Sequence, residues 1–293
     1  MRTINPILQD ILSTKRPTNN PDYCLSYTAN LLNGLGIAYA IDEHKNITVD
    51  LGGTTCFTAH TDTVDNKLGK NHLHIKNNIV RVKDGGILGA DCGSGMYLLI
   101  RMIHANTPAL YVFFSTEEQG RIGSSRYRMP EHITKCVSFD RKGTNNLITH
   151  QMGERGCSEL FADAFIDSFQ LPYFDDPTGS FTDSYSFFDT VPECVNLSVG
   201  YYNQHSKDEH QDLTFLESLA DACIAMDWEA LPVARDPDAF TPVELFGRNM
   251  YQPTYTDELL DFVYDNPHIV ADLLDQWGIT LRDLEEHKAL CEY

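Results

Sequence analysis

Apolar residues come along this chain in short blocks with two alternating spacings. Thr55-Cys56-Phe57-Thr58-Ala59-His60, Ala109 to Ser115, Lys135 to Phe139 and Cys194 to Val199 carry too few charges to face water. Each reads as a buried strand. Helical spacing appears between and around them, over 4–14, 21–35, 96–104, 155–169 and 212–228. Pro21 near the start of the second helix suits a first turn, where the missing N–H costs nothing. Ile37 to Ile41 reads as a strand, and Asn46 to Leu51, ending at Gly52-Gly53, as part of a hairpin. Residues 65–88 alternate weakly through Val80, Val82 and Ile87 and predict a surface hairpin. Shorter pieces complete the series: a helix ending near Arg128 and closed by Pro130, a strand over 147–151, a loop over 172–184 and a helix over 184–189.

Strands alternating with helices predict an α/β fold, a three-layer α/β/α sandwich with a mixed, mainly parallel central sheet. The pattern changes after residue 230. Pro232, Pro237, Pro242 and Pro253 mark a linker, and helices are expected at 256–265 and 267–276, with a third after Gly278. The chain therefore divides into a catalytic domain, 1–230, and an acidic linker with a small C-terminal helical appendage, 231–293, in which 13 acids face 4 basic residues.

Charge narrows the partners. With 22 basic and 42 acidic residues among 293, the net charge is −20. Such a surface repels nucleic acid and anionic lipid, so neither nucleic acid nor membrane is expected as a partner. No apolar run approaches the ~20 residues that cross a bilayer, and no signal peptide is visible, so a cytoplasmic location is expected. The eight cysteines form no C-x-x-C pair, which argues against a zinc ribbon and suggests reduced, packing thiols.

Chemistry concentrates where strands end. His60-Thr61-Asp62, Glu117-Glu118, Asp140 and His205 follow apolar strands, and Asp91 opens a helix in a glycine-rich turn. Ligands of α/β sheets bind beyond the carboxyl ends of the strands. Two histidines, two single aspartates and a Glu-Glu pair suffice for two sites of three protein ligands that share Asp91. One carboxylate is left over as a base. Asp62 is placed to take the other ring N–H of His60. Singly, each of these residues is more simply read as a turn, a cap or a solvated helix start; the joint order favours a site.

Five strings carry a resemblance: Thr58-Ala59-His60-Thr61-Asp62-Thr63-Val64, Gly89-Ala90-Asp91-Cys92-Gly93-Ser94-Gly95, Ser115-Thr116-Glu117-Glu118-Gln119-Gly120, Phe139-Asp140 and Tyr202-Asn203-Gln204-His205-Ser206. In this order they resemble the motifs of the co-catalytic dinuclear zinc peptidase clan, which includes the metallopeptidase families M28, M20 and M42. Only 31 residues separate His60 from Asp91 and 65 separate Asp140 from His205. That leaves no room for the inserted domains of the latter two families, so the architecture is most similar to single-domain M28 aminopeptidases. Glu209 beside His205-Ser206 leans towards M42, and His-Thr-Asp-Thr-Val towards M20.

The resemblance implies that His60 and Asp140 bind one metal, Glu118 and His205 the other, and that Asp91 bridges them. Glu117 would be the general base and Asp62 would orient His60. Tyr202 or Tyr201 would assist the oxyanion, and Asp183 would support the site from behind unless it is only a helix cap. The implied cofactors are two divalent metal ions, zinc first, with cobalt or manganese as alternatives. The expected activity is an aminopeptidase on short peptides, whose ammonium group an acidic rim would favour. An acyl-amino-acid deacylase, a carboxypeptidase or a non-catalytic binding relative is the alternative. A second copy or a protein partner is expected to use the C-terminal extension.

Overall fold

In chain order, the computed structural model contains α1 (Pro6–Ser13), α2 (Pro21–Gly34), β1 (Ala40–Ile41), β2 (Ile47–Asp50), β3 (Thr55–His60), β4 (Leu73–Lys76), β5 (Ile79–Val82) and α3 (Ala90–His104). Next come β6 (Leu110–Phe114), α4 (Ile122–Ser125), β7 (Lys135–Arg141), β8 (Asn146–Ile148), β9 (His150–Gln151), β10 (Glu154–Arg155) and α5 (Glu159–Ser168). The unit closes with β11 (Phe174–Asp176), β12 (Glu193–Ser198), β13 (Tyr201–Tyr202), β14 (His210–Asp212) and α6 (Leu213–Ala225). The structure describes residues 4–83, 85–237, 263 and 267–276. It divides into compact units Met1–Asp238 and Ala239–Tyr293. In the second, Pro267–Gln276 is helical, as the sequence leads one to expect. The expected third helix, and all but one residue of the helix at 256–265, lie outside the described residues.

Local chemistry accounts for where the helices start. Asn5, Asn20, Ser158 and Asp212 each accept a hydrogen bond from a backbone N–H of the first turn, satisfying donors that a helix leaves open. Proline follows the cap in α1 and α2. Helix α5 begins at Glu159, later than the apolar spacing implies, because Arg155 pairs in the small hairpin β9–β10.

The central sheet has the order β1-β2-β6-β3-β7-β12-β8-β11. Strands β6, β3, β7 and β12 run parallel, while β1, β2 and β8 supply antiparallel pairings. The mixed, mainly parallel sheet is thus the expected one. From β3 the chain moves first to β6 on one side and later to β7 on the other. His60 therefore sits at a topological switch point, where α/β sheets open a crevice.

Side-chain alternation divides the core in two. Phe57, Ala59, Tyr111 and Phe113 point into a large cluster with residues of α1, α2, α3, α5 and α6. Cys56, Leu110, Val112, Phe114 and Cys136 point the other way, towards Ile133, Phe187, Phe188 and Val191. This second layer is thin. It is made from irregular chain, the one-turn α4 and the 3-10 helix Asp183–Phe187, which leave little helical spacing in the sequence.

Helix α3 runs through the thick layer, buried on nearly all sides. Its glycines permit this. A methyl group on Gly95 would stand 2.6 Å from the carbonyl oxygen of Phe139 and 3.0 Å from Ala59, closer than packing allows. The hairpin β4–β5 is not isolated on the surface. It joins β14 and β13 in a four-stranded antiparallel sheet, which fastens the segment around His205 to the segment before Asp91. Among the described residues, no helix is long and apolar enough to cross a membrane.

Candidate metal centre

Three adjacent parallel strands end together. His60 closes β3 opposite Phe114 of β6, and Glu117 follows two residues beyond β6's neighbour Ser115. Asp140 lies near the end of β7. Asp91 enters from the first turn of α3, whose Asp91–Cys92 peptide is cis. His205 comes from the β13–β14 connection in the left-handed conformation, at φ 59°. Thr116, just before Glu117, is also left-handed at φ 56°. A non-glycine residue pays about 1–2 kcal/mol for that region, so the surrounding contacts hold both turns against local preference.

The central feature is the Asp91 carboxylate. Its Oδ1 lies 3.0 Å from His60 Nε2, and its Oδ2 lies 3.2 Å from His205 Nε2. His60 Nε2 is also 3.5 Å from Asp140 Oδ1, and His205 Nε2 is 3.0 Å from Glu118 Oε1. Two atoms bound at ~2.1 Å to one tetrahedral ion stand about 3.4 Å apart. Both pairs of neighbours thus have the spacing of co-ligands, and the two oxygens of Asp91 serve different pairs.

The donor set also passes an electrostatic test for a cation. Glu118 Oε1 and Asp140 Oδ1 are buried without a hydrogen-bond partner, with an imidazole nitrogen 3.0 and 3.5 Å away. Burial and then the Asp91 charge push Asp140 up to about 7. Burial also raises Glu118, against the opposing pull of His205. Burial alone would raise Asp91, but hydrogen bonds from His205 and His60 hold it well below the usual carboxylate range. Nearby dications relieve this kind of crowding. Cys92 belongs to the same cluster as His60 and Asp140. Its Sγ donates to the Phe139 carbonyl at 3.0 Å, and burial raises its thiol. A protonated, already bonded thiol is a poor ligand.

Glu117 is buried beside this group, and burial lifts its carboxyl well above the ordinary value, with Asp140, Asp183 and Glu118 adding to the effect. Asp62 departs from the simple expectation. His60 Nδ1 lies 3.1 Å from the carbonyl oxygen of Asp62 and 3.5 Å from its carboxylate. The carboxylate instead accepts the backbone N–H groups of Glu117 and Glu118, at 3.1 and 3.3 Å. One residue thereby fixes the His60 ring through its backbone and the Glu-Glu turn through its side chain.

A cavity of about 200 Å³ opens over these residues, lined by Asp91, Glu117, Glu118, Asp140, Tyr201 and His205 among others. Of the two tyrosines, only Tyr201 lines it. Tyr202 is exposed and stacks on His210, with ring centroids 5.3 Å apart. Asp183 starts the 3-10 helix behind the site, with Oδ1 buried and unpartnered, and burial pushes its carboxyl up to about 6.

The supporting roles of several residues that build the centre escaped the sequence reading, even where, as for Glu209, the residue itself was noticed. Arg16, fully buried, donates to the carbonyls of Thr61 and Gly89, at 2.8 and 3.0 Å, and so ties the His60 turn to the Asp91 turn. Asn196 brackets Asp140 through its N–H and C=O, at 2.9 and 3.1 Å, while Thr182 donates to Asp140 Oδ2 at 2.5 Å. Glu209 accepts the N–H groups of Leu88, Gly89, Ala90 and Asp91, at 2.7, 3.2, 2.8 and 3.4 Å. Its only trace in the sequence is an acid close to His205.

Glu209→Gln should lower metal affinity about 10–100-fold, the usual cost of losing a support behind a ligand. The amide presents N–H groups to a turn that offers only donors. Zinc titration with a competing chelator reads this out; an unchanged affinity would mean that the turn holds itself.

The sequence matches no family model and no curated protein. Solved structures do match. The aminopeptidase PepT from Bacillus cereus aligns with TM-score 0.63 and 13% identity, covering 74% of this chain and 95% of its own. A tripeptidase from Staphylococcus aureus gives 0.63 and 12%, with the same coverage. The TET1 peptidase from Pyrococcus horikoshii, which can assemble into a tetrahedron or a large octahedral shell, gives 0.54 and 15% over 67% of this chain and 92% of its own. The chain has the fold of these peptidases. Identities this low establish the shared fold; what the site does has to be argued from its own residues.

Proposed function

We propose that this protein is a metal-dependent peptide hydrolase, an aminopeptidase acting on short peptides. The observation that carries the reading is the Asp91 carboxylate, whose two oxygens face two separate histidine–carboxylate pairs. His60 and Asp140 would hold one divalent ion, Glu118 and His205 the other, with Asp91 shared and zinc the preferred metal. Two such ions supply Lewis acidity, polarising a carbonyl and lowering the pKa of a neighbouring water towards ~7.

The chain's own groups do the rest. Glu117 takes the proton of the attacking water and returns it to the leaving amine. Asp62 keeps the Glu117 backbone in place through the 3.1 Å hydrogen bond. Tyr201, in the cavity wall, offers its hydroxyl to the developing oxyanion, a role that the outward-facing Tyr202 does not fit. Asp183 supports Glu117 from behind. A non-catalytic relative has no need to keep a buried, unpaired carboxylate like this one beside the ligand set. Assembly of several copies, and a partner for the C-terminal extension, belong to this proposal too.

Metal analysis of gently purified protein tests the reading. About two ions per chain are expected, and chelation should abolish hydrolysis of aminoacyl, dipeptide and acyl-amino-acid substrates, with zinc, cobalt or manganese restoring it. Failure to take up any of these metals would overturn the assignment.

A further inference from the structure

The wall of the cavity is charged in an unexpected sense. Its four acidic residues are Asp91, Glu117, Glu118 and Asp140, all of them committed to metals or to the base. The other charged residues in the wall are Arg141 and Lys142, two cations side by side in a chain with net charge −20. Among the described residues, no uncommitted acid is left in the wall to receive an ammonium group. Two cations are available to receive an anion.

Arg141 is held for such a task. Asp176 accepts from its Nη2 at 3.5 Å, and Thr178 stands 3.4 Å from the same atom. Asp176 is itself fixed by Asn146 at 2.8 Å and by the N–H of Thr178 at 2.8 Å. These contacts engage one corner of the guanidinium, and both are long. Nη1 takes part in neither contact, and it is not among the buried atoms. An arginine anchored on one side and left unsatisfied on another suits a planar carboxylate, which a guanidinium grips with two parallel hydrogen bonds. Lys142 is exposed at the rim, where it adds attraction without fixed geometry.

Resting on the hydrolase reading above, we propose that Arg141, assisted by Lys142, is a specificity residue that binds a carboxylate of the substrate beside the scissile bond. The carboxylate has two sources. It is either the free C-terminus of a dipeptide or acyl-amino acid, or the side chain of an acidic residue. The C-terminal source requires short substrates, since a longer peptide carries its carboxylate out of reach of a cavity of about 200 Å³.

Matched substrates test this. Metal-loaded protein is given L-alanyl-L-alanine against its C-terminal amide, and L-glutamyl-L-alaninamide against L-alanyl-L-alaninamide. The carboxylate-bearing member of at least one pair should be favoured about 10–100-fold in kcat/KM, the range of a charge-assisted hydrogen-bonded contact. Which pair shows the preference identifies the source. In Arg141→Gln the preference should collapse towards one, through a raised KM, and Arg141→Lys should restore part of it. Binding is followed independently of turnover by calorimetry, with N-acetyl-L-alanine against its amide and N-acetyl-L-glutamic acid α-amide, whose side-chain carboxylate is free, against N-acetyl-L-glutaminamide. Turnover without preference, or a preference that survives Arg141→Gln, overturns this inference and leaves the hydrolase intact. No turnover and no preferential binding overturns both.

Discussion

Glu117→Gln should cost about 10²–10⁴ in kcat, the usual worth of a placed general base, while metal content stays at the wild-type level. The amide has nearly the shape of the acid, and the contact that positions residue 117 runs from its backbone N–H to Asp62, which the substitution leaves alone. Only the capacity to accept and return a proton disappears. An interaction made in the transition state lowers kcat and kcat/KM together and leaves KM nearly constant. The check is kcat together with metal content on the same preparation. A variant that keeps both would remove Glu117 from the chemistry and direct attention to Asp183, the next buried acid.

The second large effect falls on Asp91. Asp91→Ala should reduce bound metal from about two ions to fewer than one and remove measurable turnover, because each remaining pair has only two protein ligands where three are usual. Thermal unfolding gives a separate readout. A metal present at a hundred times its dissociation constant stabilises the folded state by about 2.7 kcal/mol, or about 5–10 °C for a domain of this size. Zinc should raise the wild-type midpoint by that amount and leave Asp91→Ala unmoved. A variant that still gains the full shift would show that Asp91 is not shared between the ions.

Much of this centre is legible in the sequence because apolar strands advertise their own ends. His60 and Asp140 finish runs that have no other way to be buried, and Glu117 follows one after a short turn, so their convergence on one edge of the sheet follows from pattern alone. Residues that act on backbone groups remote in sequence are not legible in this way. Arg16 lies 73 positions from Gly89 and Glu209 lies 118 from Asp91, and no period or motif joins them. The role of Asp62 was half visible. Its nearness to His60 is local, whereas its bonds to Glu117 and Glu118 cross 55 and 56 positions. The thin second layer was hidden for another reason: the 3-10 helix Asp183–Phe187 is too short to impose a repeat.

The turn that carries Asp91 is gripped from opposite sides, its carbonyl by Arg16 near the start of the unit and its N–H groups by Glu209 near the end. Each grip needs a segment remote in sequence to reach this turn, across 73 positions for Arg16 and 118 or more for Glu209, and the loop-closure entropy of such contacts has to be met first. Metal ions bound at this centre would therefore be latecomers to the fold. They would latch a frame that polypeptide contacts complete, and their stabilisation would then belong to the rate at which the native state opens rather than to the rate at which it forms.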